Sequence, residues 1–291
     1  MADVIVPDGS WTFDGELLRV VPASGNSVHE LRRTLGELVI PLQAVASLTF
    51  EPGRKGGHLR LRLRKRADAL TDVVAGGLDS PADPYRLSVP KDRSGAAQYL
   101  ADEVRDALTV WQVPSGPAEH FLLPPPEAPI SATAGDGTVT FDGERVRLDW
   151  TWLASTTKEE AGTQEFPLSD ITHVEWSPLA GAGYGSLRFR VRNEGATQPP
   201  NKDLRCVSWG LQKFGGTTAL VAAAVHARLA ALPPERPEPP APPAPALAAA
   251  GDAHDAVLRR LAELGELHRS GVLTDEEFSA AKAAMIRRLS E

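Results

Sequence analysis

"DGSWTFDGE" occupies residues 8–16 and "DGTVTFDGE" residues 136–144, so seven of nine letters recur 128 positions apart. A repeat of this kind is followed first, because it dictates how the rest of the chain divides. "IPLQAVASLTFEP" at 40–52 aligns with "FPLSDITHVEWSP" at 166–178, and "LRLRLR" at 59–64 with "LRFRVR" at 187–192. The same segments return in the same order, with small length changes in the loops between them. The chain therefore reads as a duplicated domain, with a first copy over 1–112, a proline-rich connector over 113–132 and a second copy over 133–232.

Each copy reads mainly as strands. "SWTFDGELLRV" alternates around Asp14-Gly15, a strong hairpin-turn signal that Asp142-Gly143 repeats, and it forms the expected first hairpin. "HLRLRLRK" sets Leu59, Leu61 and Leu63 on one face and Arg60, Arg62 and Arg64 on the other, the pattern of a half-buried antiparallel strand. "YRLSV" at 85–89 and "LRCVS" at 204–208 read as later strands. A helix then closes each copy. Tyr99, Leu100, Val104, Ala107, Leu108 and Trp111 carry the first stripe, and Leu220, Val221, Ala224, Val225 and Leu229 the second, which stops at Pro233-Pro234. Short antiparallel strands capped by one amphipathic helix outline an α+β fold. It resembles two tandem pleckstrin-homology-like barrels, each closed by its C-terminal helix.

Composition bounds the function. The single cysteine, Cys206, excludes an intramolecular disulfide framework and a multi-cysteine metal site, and it fits a cytoplasmic setting. "MADVIVPDGSW" lacks the basic and apolar regions of a signal peptide, and no run reaches the roughly 18 apolar residues of a membrane-spanning helix. A formal net charge of −7 argues against bulk affinity for nucleic acid or anionic lipid, while leaving room for a local basic patch.

Beyond the second copy, "PPERPEPPAPPAP" holds eight prolines in thirteen residues within a Pro/Ala-rich disordered linker, 233–251. As polyproline II it would span about 40 Å. Residues 252–291 read as a two-helix hairpin. Val257, Leu258, Leu261, Leu264 and Leu267 stripe the first helix, and Gly271 breaks it. Thr274 and Glu277 form a capping box for the second helix, which Phe278, Ala281, Met285, Ile286 and Leu289 line, with Leu273 in the turn. So small a unit cannot bury both stripes alone, which points to self-association through Leu258, Leu261, Leu264, Leu267, Leu273, Phe278, Met285, Ile286 and Leu289, or to docking elsewhere.

The leucine spacing, "GVLTDEEF", and then Lys282, Ile286 and Leu289 resemble the short C-terminal domain called SHOCT, a helical hairpin of bacterial proteins. That resemblance implies a role in oligomerisation and, less directly, in nucleic-acid contact. The duplicated part, with "FDG", "IPL", "EPGRKGGHLRLRLR" and "ADPYRL", resembles a bacterial, mainly actinobacterial, domain of unknown function catalogued as forty-four twenty-nine. That domain occurs often in tandem and often before SHOCT. The resemblance implies an architecture and supplies no catalytic residue.

The strongest local candidate is "GRKGGHLRLRLRKR" at 53–66, where Arg54, Lys55, Arg60, Arg62, Arg64, Lys65 and Arg66 place seven cations in fourteen residues. They suit a phosphate-bearing surface, a lipid headgroup or an acidic protein segment. The bland alternative is a solvated strand face paired with neighbouring acids. The second copy keeps Arg188, Arg190 and Arg192 but has "LAGAGYG" in place of the basic loop, so one copy is expected to bind and the other to brace it.

Other features read as structure. "GRKGGH" lacks the Gly-Lys-Ser/Thr of a phosphate-binding loop, and "GAGYGS" at 181–186 reads as a hairpin loop. The seven histidines show no metal-ligand spacing, and His173 belongs on a strand. Asp14 and Asp142 are turn residues, Cys206 a buried strand residue. "LDWTWL" is expected to set Trp150 and Trp152 on one strand face. The expectation is a non-enzymatic cytoplasmic adaptor without cofactor, metal or evident small-molecule substrate, multimerised by its C-terminal hairpin. Its protein partner is unnamed by the sequence. The alternative is a peripheral binder of anionic membrane or nucleic acid through the basic strand 53–66.

Overall fold

The Asp-Gly pairs form the turns the sequence predicts. Asp14 Oδ1 accepts the backbone N–H of Glu16 at 2.9 Å and of Leu17 at 2.8 Å. Asp142 Oδ1 does the same for Glu144 at 2.8 Å and Arg145 at 2.7 Å. These backbone donors hold both carboxyls below the usual carboxylate range. Gly15 and Gly143 supply the positive φ of 110° and 108° that each turn requires. The turns join β2 (Gly9–Phe13) to β3 (Leu17–Pro22), and β9 (Gly137–Phe141) to β10 (Arg145–Trp150).

A computed structural model describes residues 1–180, 183–192, 195–210 and 215–232. The predicted C-terminal hairpin, with Leu258, Leu261, Leu264, Leu267, Leu273, Phe278, Met285, Ile286 and Leu289, lies outside the described residues, as do positions 181–182 of "GAGYGS". The chain is α+β with several antiparallel sheets. In the first copy, β1 (Ala2–Val6), β2, β3 and β4 (Leu38–Pro41) form a four-stranded sheet. Strands β5 (Val45–Gly53), β6 (Gly56–Leu63) and β7 (Arg86–Pro90) form a three-stranded one.

The second copy repeats this plan. Strands β8 (Ile130–Ala134), β9, β10 and β11 (Gln164–Pro167) make its larger sheet, and β12 (Ile171–Ser177), β13 (Gly185–Val191) and β14 (Cys206–Trp209) its smaller one. Even the register shift recurs, between Val45 and Ser47 in β5 and between Ile171 and His173 in β12. Among the described residues no ladder joins the larger sheet to the smaller, so neither copy is a closed barrel. The Asp-Gly hairpin also stands second in each copy, because β1 and β8 precede it.

Each pair of sheets shares one core under a closing helix. In α3 (Ser94–Val110), Ala97, Leu100, Ala101 and Val104 are fully buried against Trp11, Leu18, Ile40, Leu59 and Leu87. Tyr99 and Trp111, placed on that stripe by the sequence reading, are instead exposed. Trp152 corrects a second expectation. Strand β10 ends at Trp150, and Trp152 is 82% exposed in the turn that follows.

A polar tie then joins the two sheets of each copy. Asp8, in the β1–β2 turn, accepts Arg32 Nη1 at 2.9 Å and the backbone N–H of Ser88 on β7 at 2.9 Å. Arg32 belongs to α1 (Glu30–Leu35). Asp136 is the counterpart in the second copy, and it accepts Lys158 Nζ at 2.7 Å, Ser208 N–H at 2.7 Å and Ser208 Oγ at 2.6 Å. Lys158, from α4 (Thr156–Ala161), is wholly buried. Its other donors go to the carbonyls of Pro200 and Cys206 at 2.9 and 2.7 Å, and the ammonium lies 4.7 Å from the Trp150 ring centre.

The copies pack together within one unit, Met1–Leu232. Helix α5 (Thr218–Ala231) turns Val221, Ala222 and Val225 to its own sheets, and Ala219, Leu220, Ala223 and Ala227 to α2 (Ala69–Val74) of the first copy. A helix packed on two sides is apolar on both, which is why its alanines outnumber its polar residues; only its last turn, with Arg228, Ala230 and Ala231, is exposed. His226 Nε2 meets Asp72 Oδ2 at 2.9 Å across the same junction, with Phe121 of the connector against the imidazole. The connector is itself docked. Ala118 donates its N–H to Lys65 O, and Leu122 and Leu123 donate theirs to Ala67 O.

Two stability changes follow. Ala223→Glu forces a charge into the layer between the copies and is expected to cost about 3 kcal/mol or more. Calorimetry is expected to show one cooperative transition for the unaltered copies and two for the variant. Lys158→Met leaves the Asp136 carboxylate without its cation and is expected to cost about 3–5 kcal/mol in urea unfolding. Adding Asp136→Asn should recover part of that loss, because no uncompensated charge then remains buried.

Candidate binding surface

The basic stretch 53–66 spans the β5–β6 hairpin and runs past the end of β6. Arg54 and Lys55 stand exposed at the hairpin tip. Gly56 sits so close to Val89 O and Pro90 that a β-carbon there would collide with backbone, which lets the hairpin fold tightly beside β7. Leu59 and Leu61 enter the core while Arg60 and Arg62 occupy the opposite face. The alternation read from "HLRLRLRK" is therefore the strand's own.

The seven cations nevertheless do not form one surface. Arg64 lies beyond β6, and its guanidinium donates to the carbonyls of Gly116 and Gln43 at 2.8 Å and of Pro117 at 3.1 Å. It fastens the connector to the first copy. Lys65 is exposed, while its carbonyl receives Ala118 N–H. Arg66, exposed with φ 61°, faces a separate groove lined by Phe121, Leu122 and Ala230. Arg54, Lys55, Arg60 and Arg62 remain on the hairpin and its strand.

The second copy shows what closes such a face. Arg190 is held bidentately by Glu175 at 2.8 and 3.1 Å, and Arg188 is buried with its guanidinium on Gln198 O and 3.4 Å from Asp203. Arg192 donates to Ser169 O, repeating the staple that Arg64 makes to Gln43 O. Position 175 corresponds to Thr49 in the first copy, so the acid that neutralises Arg190 has no counterpart there. Among the described residues Arg62 makes no ion pair, and it is exposed.

A cleft of about 570 Å³ opens beside the hairpin tip, lined by Pro7, Asp8, Arg54, Lys55, His58 and Pro90 among others. A second, of about 210 Å³, shares Asp8, His58 and Ser88 with it and adds Ser27, His29, Arg32, Ser80 and Arg86. His58 lies across from Ser88, with Nδ1 3.5 Å from Ser88 Oγ. Burial first, then the neighbouring Arg86, pushes its imidazole below the usual histidine range against the opposing pull of Glu51 and Asp8. Asp83, close to Arg60, Arg86 and Arg32, is raised by burial despite those cations and accepts the N–H of Tyr85 at 2.9 Å. Sequence reading missed His29, Arg32, His58 and Arg86 as one cluster, since they come from three separate segments.

The remaining candidates are structural. Cys206 is buried and its thiol is pushed up to about 11 by desolvation, so it stays protonated. His173 is exposed on β12. No cluster of three metal-ligating side chains occurs among the described residues, and no helix among them is long and apolar enough to cross a membrane.

Comparison with known proteins agrees with the duplication. The model of the domain of unknown function DUF4429 matches twice, over residues 11–105 and 139–226, and that of the short C-terminal domain SHOCT matches residues 259–285. No curated protein matches the chain. The two matches fall one on each copy and together cover more than half of the sequence, and the chain belongs to the DUF4429 family, with its tandem domains followed by a SHOCT domain.

Proposed function

We propose that this protein is a non-enzymatic cytoplasmic adaptor whose first copy binds an acidic segment of a partner protein while the second copy braces it. Each copy is read as a pleckstrin-homology-like module, supported by the four-plus-three strand order and the helix that closes each core. The observation that carries the binding role is the inequality between the copies. Arg190 and Arg188 are neutralised within the second copy, whereas Arg54, Lys55 and Arg62 stand open on the first. Acid-lined partners gain most from such a face, since guanidinium groups pair carboxylates in two-point fashion. The SHOCT segment then multimerises the chain through its leucine stripes, and weak contacts gain avidity of about 10²–10⁴-fold when several engage together.

Two measurements test this reading. Immobilised poly-L-glutamate should retain the full chain at low salt and release it as salt rises. The triple variant Arg54→Glu, Lys55→Glu, Arg62→Glu should lose that retention. Retention unchanged by charge reversal overturns the surface, and capture by phosphatidylserine vesicles or duplex DNA in place of polyglutamate favours the peripheral-binder alternative. Light scattering should give a defined oligomer for the full chain and a monomer for a chain ending at residue 232. Monomers in both cases would remove the hairpin's assembly role.

A further inference from the structure

One buried cation differs between the copies, Lys158 in the second and Arg32 in the first, and in the first copy a cavity lies beside it. In the second copy the Lys158 ammonium fills the space between Asp136, Pro200 O and Cys206 O. The corresponding first-copy residues are Arg32, Asp8, Ser80 and Arg86. There the side chain from the helix makes no bond to Ser80 or Arg86 among the described residues. Arg32 is spent on Asp8, with Nη1 on Oδ1 and Nη2 on the backbone carbonyl. Beside it lies the cavity of about 210 Å³, with Arg86 and Ser80 also in its lining.

Its lining has the chemistry of an oxyanion site. Arg86 is half-buried, forms no ion pair among the described residues and makes a 2.9 Å bond to Ser80 Oγ. Ser27, Ser80 and Ser88 present hydroxyls, and His29 and His58 present ring edges, although His29 Nδ1 already accepts the Leu31 N–H at 3.2 Å. Two acids lie near this lining: Asp8, whose oxygens accept from Arg32 and from Ser88 N–H, and Asp83, which accepts the Tyr85 N–H among Arg32, Arg60 and Arg86. A lining with three hydroxyls, two imidazoles and a guanidinium without an ion pair among the described residues offers more donors than a planar carboxylate with two oxygens can use, and suits an acceptor with three.

We propose that this first-copy cavity, walled by Arg86, His58, His29, Ser27, Ser80 and Ser88, receives a phosphate monoester carried on a side chain of the partner segment. The inference rests on the first copy being the binding copy and names the chemistry its partner carries. The cavity and the larger cleft are neighbours, with Asp8, His58 and Ser88 in the lining of both. An extended segment lying toward Arg54 and Lys55 can therefore place its phosphorylated residue at the inner end. Pro7, Val89 and Pro90 line the outer part with apolar surface that main-chain and side-chain atoms of a peptide can cover.

Calorimetric titration of the full chain with O-phospho-L-serine in chloride buffer tests it. The expected result is saturable binding at one site per chain, none with L-serine, and about tenfold or greater weakening in Arg86→Gln. His58→Gln, which leaves Arg86 and the Arg32–Asp8 pair in place, is expected to weaken binding as well and guards against a folding defect in the arginine variant. Equal heats for serine and phosphoserine overturn the proposal, as does undiminished binding in both variants. Capture only by phosphatidylcholine vesicles carrying phosphatidic acid transfers the site to a membrane lipid and overturns the protein partner. The outer reversal Arg54→Glu, Lys55→Glu separates the two readings. Phosphoserine binding that survives while polyglutamate retention was never present leaves the cavity standing and removes only the acidic surface.

Discussion

The first aspartate of each repeated nonapeptide holds its copy together. Asp8 and Asp136 sit in β-turns of the larger sheets, and each reaches a backbone N–H on the last strand of the smaller sheet and a cation on the short helix between. Three separate segments are thereby fixed to one carboxylate. The buried tie at Asp136 is the more demanding, because a buried carboxylate that loses its cation keeps the desolvation cost without the compensating attraction, whereas Asp8 is partly exposed. Apolar packing supplies most of the stability of these cores, but it is nondirectional. The aspartate sets how one sheet lies on the other, and every polar wall discussed above is built around it.

From that shared tie the copies diverge by single substitutions. Lysine at 158 completes its own cavity, and glutamate at 175 completes its own strand face. Arginine at 32 and threonine at 49 do neither. The Lys158 ammonium spends its three donors on a carboxylate and two carbonyls of different segments, whereas the Arg32 guanidinium bonds Asp8 alone among the described residues, through its carboxylate and its backbone carbonyl. Duplication thus yields a copy that is electrostatically closed and one that is open, with no change of strand order.

Much of this was legible in the residues. Asp14 and Asp142 announce their turns, the Leu59–Leu61 alternation gives β6, and the aligned segments give the two-copy division. The edge strands β1 and β8 were missed because "ISATA" has few large apolar residues and "ADVIV" precedes the matched motif. The barrel was overdrawn, since strand periodicity says which face is buried and nothing about which ladder closes. Trp152 misled because a period of two was carried one step past the strand's end. The Arg86–His58–His29 cluster could not be read at all, because pairing register and the α1 approach decide it. One signal was available for the copy junction. "TALVAAAVHARLAA" is too uniformly apolar for a helix with a wet face, and the sandwiching of α5 followed from that.

That helix also explains why the closed copy matters to the open one. Helix α5 packs on α2, and Asp68 caps α2 through the N–H groups of Leu70 and Thr71 at 3.3 and 2.9 Å. The same carboxylate accepts the Tyr85 hydroxyl at 2.8 Å, and burial holds that phenol well above its usual range so that it stays a donor. Tyr85 precedes Arg86 and is itself in the first-copy core. The chain of contacts from α5 through α2, Asp68 and Tyr85 therefore ends at the residue that walls the first-copy cavity. A lone first copy would leave Ala69, Leu70 and Val74 wet and the cap on a loosened helix. What the second copy supplies to that wall is support, delivered through packing and one shared carboxylate.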